Sequence, residues 1–220
     1  VTNCQSTLFI SIFQLLGCLY FMSHPSQSLA LILEPKEVKQ QLSASSLIIN
    51  KSKSAEQDLQ RLYVARHYQP IWLTTKGESS ALETALDFIA AADAEGLDSL
   101  DYQLQQLRHL REQLPHSASI AAELEVRTSH AILTLAKDLS RGRFSATAAD
   151  PDWHIAQPEF DAVAFLLEAI KSDTLQQSLQ NVSPQNPSYQ RLKQTLTRYG
   201  QHIVEHPAWI HIPPTPSIRP

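Results

Sequence analysis

The sequence predicts an all-α protein, an irregular bundle of six or seven helices forming one domain. Three observations lead there. Apolar residues recur at intervals of three and four from Leu59 to Ile203, the spacing that gathers side chains on one helix face. Capping residues, prolines and glycines punctuate these runs where helices start and stop. No series of alternating apolar and polar residues marks a sheet.

The elements follow in order. Residues 31–55 read as a flexible linker, with "KSKSAEQ" leading into the first strong element. Leu59, Leu62 and Tyr63 define a first helix that Pro70 stops, because proline lacks an amide donor and restricts Gln69. Ile71-Trp72-Leu73 is then a short extended segment. Ser80-Ala81-Leu82-Glu83 has the form of a capping box, and Leu82, Ala85, Leu86 and Ile89 make the stripe behind it. Gly96 suits a C-terminal cap with positive φ. Leu100, Leu104, Leu107, Leu110 or Arg111, and Leu114 outline the next helix. A long helix over about Ser119–Ser140 carries Ile120, Leu124, Ile132, Leu135 and Leu139, and Gly142 ends it. Residues 144–158 form an irregular connection holding Trp153. Phe160, Val163, Leu167 and Ile170 mark another helix, and Asp173-Thr174 caps a short one ending by Val182. Asn186 caps the last helix, with Pro187 at its first position. Its stripe of Tyr189, Leu192, Leu196, Tyr199 and Ile203 is the cleanest amphipathic pattern in the chain.

The two ends have a different character. Leu8–Met22 is an apolar run shorter than the ~20 residues that span a bilayer. Ser28-Leu29-Ala30 follows with the small-x-small form of an export cleavage site. Residues 1–30 therefore read as a signal peptide, with a membrane anchor as one alternative and a lipobox at Leu15–Cys18 as another. Residues 206–220, rich in proline, read as an extended exit segment.

Composition narrows the functional classes. The 220 residues carry a net charge of −4 with no basic run, which argues against nucleic acid as a partner because phosphate binding needs a concentrated basic field. The two cysteines, Cys4 and Cys18, both lie in the leader, so a processed chain has no thiol nucleophile, disulfide or thiolate metal site. No cofactor is expected: neither the dinucleotide fingerprint nor the phosphate-loop motif occurs. His202 and His206 share a helical spacing but precede Pro207 at a helix end, and no metal site is expected. Glu95, Asp98 and Asp101 are the carboxylates that a glycosidase reading would need, although Asp98 and Asp101 suit helix capping at that turn. Arg141-Gly142-Arg143 suits charge compensation at a helix C-terminus. Trp72, Trp153 and Trp209 are anchors for irregular segments, or else platforms for sugar rings.

Four segments carry a resemblance: "LYVARHYQPIW", "AADAEGLDSLDY", "ELEVRTSHAILTLAKDLSRGRF" and "PQNPSYQRLKQTLTRYGQHI", in that order. Together they resemble the scaffold domain of the large bacterial L,D-transpeptidases, which crosslink murein. The resemblance covers Glu56 to the C-terminus and places the scaffold domain at 56–205. It implies an exported or inner-membrane-anchored periplasmic protein whose scaffold precedes a peptidoglycan-binding domain and a catalytic domain with a cysteine nucleophile. The family's Ser-His-Gly-Cys stretch has no counterpart here. The chain is thus expected to be the front portion of such an enzyme and non-catalytic alone, with peptidoglycan or the missing catalytic domain as partner. Arg66, His67, Trp72, Arg141, Arg143, Trp153 and Trp209 are the candidate contact residues. A helical envelope adaptor and a lytic murein glycosidase are the competing expectations.

Overall fold

The computed structural model describes residues 33–44, 53–74, 77–114, 117–144, 150, 152 and 159–205. Among these residues eight α-helices stand in chain order: α1 (Pro35–Ser43), α2 (Lys53–Ala65), α3 (Ser80–Ala90), α4 (Leu104–Glu112), α5 (Ala118–Arg141), α6 (Ala162–Lys171), α7 (Leu175–Asn181) and α8 (Pro187–Glu205). The all-α bundle is as expected. The helix beyond the expected seven is α1, which corrects the reading of 31–55 as a wholly flexible linker. Pro35 at its first turn, a Glu34–Glu37 capping box and an apolar pair one turn apart, Val38 and Leu42, explain why it forms. Both apolar residues are buried, and α1 packs along α5. The leader and residues 206–220 lie outside the described residues.

α5 is the axis. It buries adjacent positions such as Ala121-Ala122 and Ala131-Ile132-Leu133, the mark of a helix enclosed on several sides. α1, α2, α3, α4 and α6 all pack against it, while α7 rests on α3 and α6. Small residues on α5 let these neighbours approach, and Leu124, Ile132 and Leu135 fill the space between them with no exposure.

Local chemistry shifted several boundaries. Ser79, not Ser80, caps α3 by accepting from the Leu82 amide at 3.3 Å; Glu83 faces Arg111 at 2.5 Å instead of closing a capping box. Gly96 is left-handed as expected, at φ 78°, but it ends the short 3₁₀ turn Ala92–Glu95. Leu100 lies in a second 3₁₀ turn, Ser99–Tyr102, and is 59% exposed, so it is not part of the α4 stripe. Gly142 ends α5 at φ 83°. Asn186 caps α8, accepting from the Tyr189 amide at 2.8 Å. Ile71 and Trp72, expected to be extended, form a bend, and only Leu73-Thr74 is strand, pairing antiparallel with Gly77-Glu78 as β1 and β2.

α8 departs most from expectation. Its clean stripe predicts burial, yet no residue of α8 is buried. It is held to the 92–95 turn by Tyr189, which donates to Glu95 at 2.7 Å, and by an ion pair of Lys193 with Glu95. Leu135→Ala should therefore cost about 2–5 kcal/mol, as for other large-to-small core changes. Leu192→Ala should stay within about 0.5 kcal/mol. Urea midpoints of the two variants measure the contrast.

Candidate functional site

The segment from Tyr63 to Leu73 is built around one side chain, Glu125 of α5. The Glu125 carboxylate accepts the amides of Ile71 at 2.6 Å, Trp72 at 2.9 Å and Leu73 at 3.2 Å, and the Tyr63 hydroxyl at 2.9 Å. The Trp72 indole donates to Ser129 Oγ at 2.9 Å, and Ser129 lies 2.7 Å from the Tyr63 oxygen. Tyr63 has one proton, and Glu125 is the acceptor with no proton of its own when ionised. The hydroxyl of Ser129 therefore donates to Tyr63. Glu125, Ser129, Tyr63 and Trp72 all have zero exposure.

The chain reaches this position through a strained reversal. His67 and Tyr68 both have left-handed backbones, at φ 53° and 61°, a conformation that costs residues with a side chain roughly 1–2 kcal/mol each. The Tyr68 amide closes the end of α2 onto the Tyr63 carbonyl at 2.7 Å. Arg66 donates to the carbonyls of Gln69 at 3.3 Å and Pro70 at 3.2 Å. Arg66 thus fastens the turn, while His67 is exposed. Trp72 is fully buried, which corrects its inclusion among the contact residues: it is an anchor without a surface.

Arg141 and Arg143 diverge on either side of Gly142. Arg141 lines a polar cleft of about 560 Å³ with Asp58 and Arg61 of α2, Lys137 of α5, and Glu159 and Asp161 before α6. Arg61 bridges Asp58 at 3.3 Å and Asp161 at 2.6 Å, and Lys137 pairs with Asp58. Asp161 also caps α6 through the amides of Val163 and Ala164. The Arg61 guanidinium holds the Asp161 carboxyl below its ordinary value. Arg143 instead pairs with Asp101 at 2.7 Å and lies over the exposed Phe144 ring. The cleft presents both signs of charge and can meet a partner carrying both. Trp153 and Trp209 lie outside the described residues.

The glycosidase carboxylates are otherwise engaged. Glu95 holds α8, Asp98 accepts from the Leu100 amide at 2.9 Å, and Asp101 holds Arg143. Asp98 caps as expected; Asp101 does not. Among the described residues no group of three or more His, Cys, Asp or Glu is placed to hold a metal, and no helix is long and apolar enough to cross a membrane. Sequence reasoning missed Glu125. Its signal is a lone carboxylate on the apolar side of the longest helix, one position after Leu124.

These features define an all-helical domain organised by a buried polar clasp. A family model described as Scaffold domain matches residues 57–196, well over half of the chain. The chain belongs to that Scaffold domain family. No curated protein and no solved structure matches it.

Burial pushes the Glu125 carboxyl up to about 7, against the pull of its four donors. Its folded value thus exceeds the ordinary 4.5, so the folded state holds a proton that the unfolded chain has released. Glu125's titration favours folding fully below about pH 4.5 and loses that contribution as pH rises through about 7. Stability of Glu125→Gln should lack this slope. At fixed pH the amide cannot accept from all four donors, at about 1–3 kcal/mol for each one left unpaired. Urea unfolding of both proteins across this pH range measures the slope and the loss.

Proposed function

We propose that the chain is the non-catalytic scaffold portion of a peptidoglycan L,D-transpeptidase-like protein of the bacterial periplasm. It acts in murein crosslinking by orienting peptidoglycan-binding and catalytic domains. One observation carries this reading: the resembling segments fall on the architecture itself. "LYVARHYQPIW" supplies Tyr63, Ile71 and Trp72, and "ELEVRTS" supplies Glu125 and Ser129, the two halves of the clasp. The Scaffold domain match over 57–196 spans both halves.

The chemistry agrees with a holding role. Ser129 is hydrogen-bonded and fully buried, out of reach of a substrate. Acyl transfer needs an accessible nucleophile with a base at hydrogen-bond distance. Arg141 in its cleft, Arg143 on its corner and His67 on its turn are the surface groups offered to peptidoglycan or to a catalytic domain. Arg66 supports His67, and Trp153 and Trp209 belong to the same proposal as contacts of the flanking segments. Residues 1–30 would direct export or hold the chain at the inner membrane. The adaptor reading is favoured by a separate feature, the exposed stripe of α8.

Two measurements test the proposal. Mass spectrometry of the chain incubated with a carbapenem should find no covalent adduct, and tetrapeptide muropeptides should emerge unchanged. A stable adduct would name a nucleophile and end the non-catalytic reading. In cells, the protein should fractionate with the periplasm or inner membrane; retention in the cytoplasm with an intact leader contradicts the export step.

A further inference from the structure

α8 carries an apolar stripe that the bundle covers only in part: Tyr189 is docked on Glu95 and Leu196 reaches Gly96, while the rest faces outward. Leu192 is 69% exposed, Leu196 42%, Tyr199 65% and Ile203 54%. They recur at intervals of four and three and so share one face. From Leu196 to Glu205 every residue is exposed. Arg191 and Arg198 border the stripe two turns apart, and their guanidinium groups reach hydroxyls of their own helix, Ser188 at 3.2 Å and Thr195 at 3.4 Å. Among the described residues neither meets a carboxylate. Gly200 sits in the middle of the stripe with open space where a Cβ would project. Glycine weakens a helix interior, and no positive φ requires it here. It leaves a hollow that a neighbour's side chain can fill.

The same molecule offers a surface of matching character. A groove of about 510 Å³ runs between α3 and α7. Phe88, Ala91 and Leu179 give it an apolar lining, Gln180 closes one side, and Glu83 and Asp87 stand on its rim. Both acids are exposed, and Glu83 also meets Arg111. The length fits as well: α3 is 11 residues long, about 16 Å, and Leu192 to Ile203 spans roughly 16 Å at the same rise. No residue of α8 lines its own groove; the helix is held at the 92–95 turn.

We infer that the basic, apolar face of α8 seats in the acid-rimmed α3/α7 groove of a second copy of this chain. Charge selects this occupant: Arg191 and Arg198 meet Glu83 and Asp87, whereas α8 against its own copy brings like charges together. The exposed apolar sector is also narrow, bounded by the bundle on one side and the arginines on the other, which suits a groove better than a bilayer. Reciprocal exchange closes a two-fold dimer with both grooves filled. This inference stands apart from the murein reading, since it concerns only how copies of the chain meet.

Sedimentation equilibrium of the full chain tests it. The chain should pass from monomer to dimer as its concentration rises. R198E and D87R should each weaken the dimer about tenfold, the scale of one close interfacial charge pair, and the R198E/D87R double variant should recover to within about threefold of the original. Both positions are exposed, and unchanged helical circular dichroism excludes misfolding as the cause. A chain that stays monomeric overturns the inference. So does a dimer insensitive to D87R, which would put α8 against α8. A double variant that fails to recover also refutes the pairing. Binding of monomeric chain to phosphatidylglycerol vesicles through α8, without self-association, would give the stripe to a membrane instead.

Discussion

The rest of the structure depends on Glu125 being fully enclosed and fully hydrogen-bonded. A buried carboxylate is costly unless donors surround it, and three of its four donors are consecutive backbone amides, Ile71, Trp72 and Leu73. That segment enters a ladder only at its end, where Leu73 begins a two-residue strand. Its amides would otherwise be buried without partners. One side chain thus does for an irregular segment what a neighbouring strand does in a sheet. The arrangement is mutual, because neither the acid nor the amides can be buried without the other.

Several elements inherit their positions from this clasp. Tyr63 ties α2 to α5 through Glu125 and Ser129. Trp72 follows its amide into the core and ends on Ser129. The Trp72 carbonyl accepts both the amide of Ser79 at 3.0 Å and its hydroxyl at 2.8 Å, which sets where α3 begins. The left-handed pair His67-Tyr68 is the strained side of the arrangement, and strain of this kind persists where surrounding contacts over-determine it. A domain whose helices meet at a fixed polar hub keeps its surfaces in fixed relation.

The periphery obeys other rules. The cleft beside Arg141 lies about 24 Å along α5 from Glu125, at 1.5 Å per residue, and its ion pairs are partly solvated. They align α2 with α6 and leave both signs of charge on display. α8 is fastened chiefly through Glu95 and stands largely free. Exposed apolar stripes of this extent mark interaction surfaces. The molecule therefore combines a core closed by hydrogen bonds with edges that leave charged and apolar groups exposed.

The sequence by itself determined the helical class, some of the helix ends and the anchoring role of Trp72, while α2 ends at Ala65, short of the Pro70 expected to stop it. Spacing, caps and prolines act over three or four residues, and the chain displays them directly. Asn186-Pro187 before α8 and Gly142 after α5 are cases where local chemistry was sufficient. α1 was legible in Pro35, Val38 and Leu42 but was obscured by the polar residues around it. Tertiary structure alone decided which amphipathic faces are covered. The stripe of α8 is more regular than that of α6, yet α6 buries Ala162, Val163, Leu166 and Ala169 and α8 buries no residue, because burial depends on what lies opposite. It also decided the partners of Glu125, whose donors lie from 52 positions (Leu73) to 62 positions (Tyr63) away in the chain. A carboxylate in an apolar run shows in the sequence that something must satisfy it; only folding brings Tyr63 and the Ile71–Leu73 amides to it.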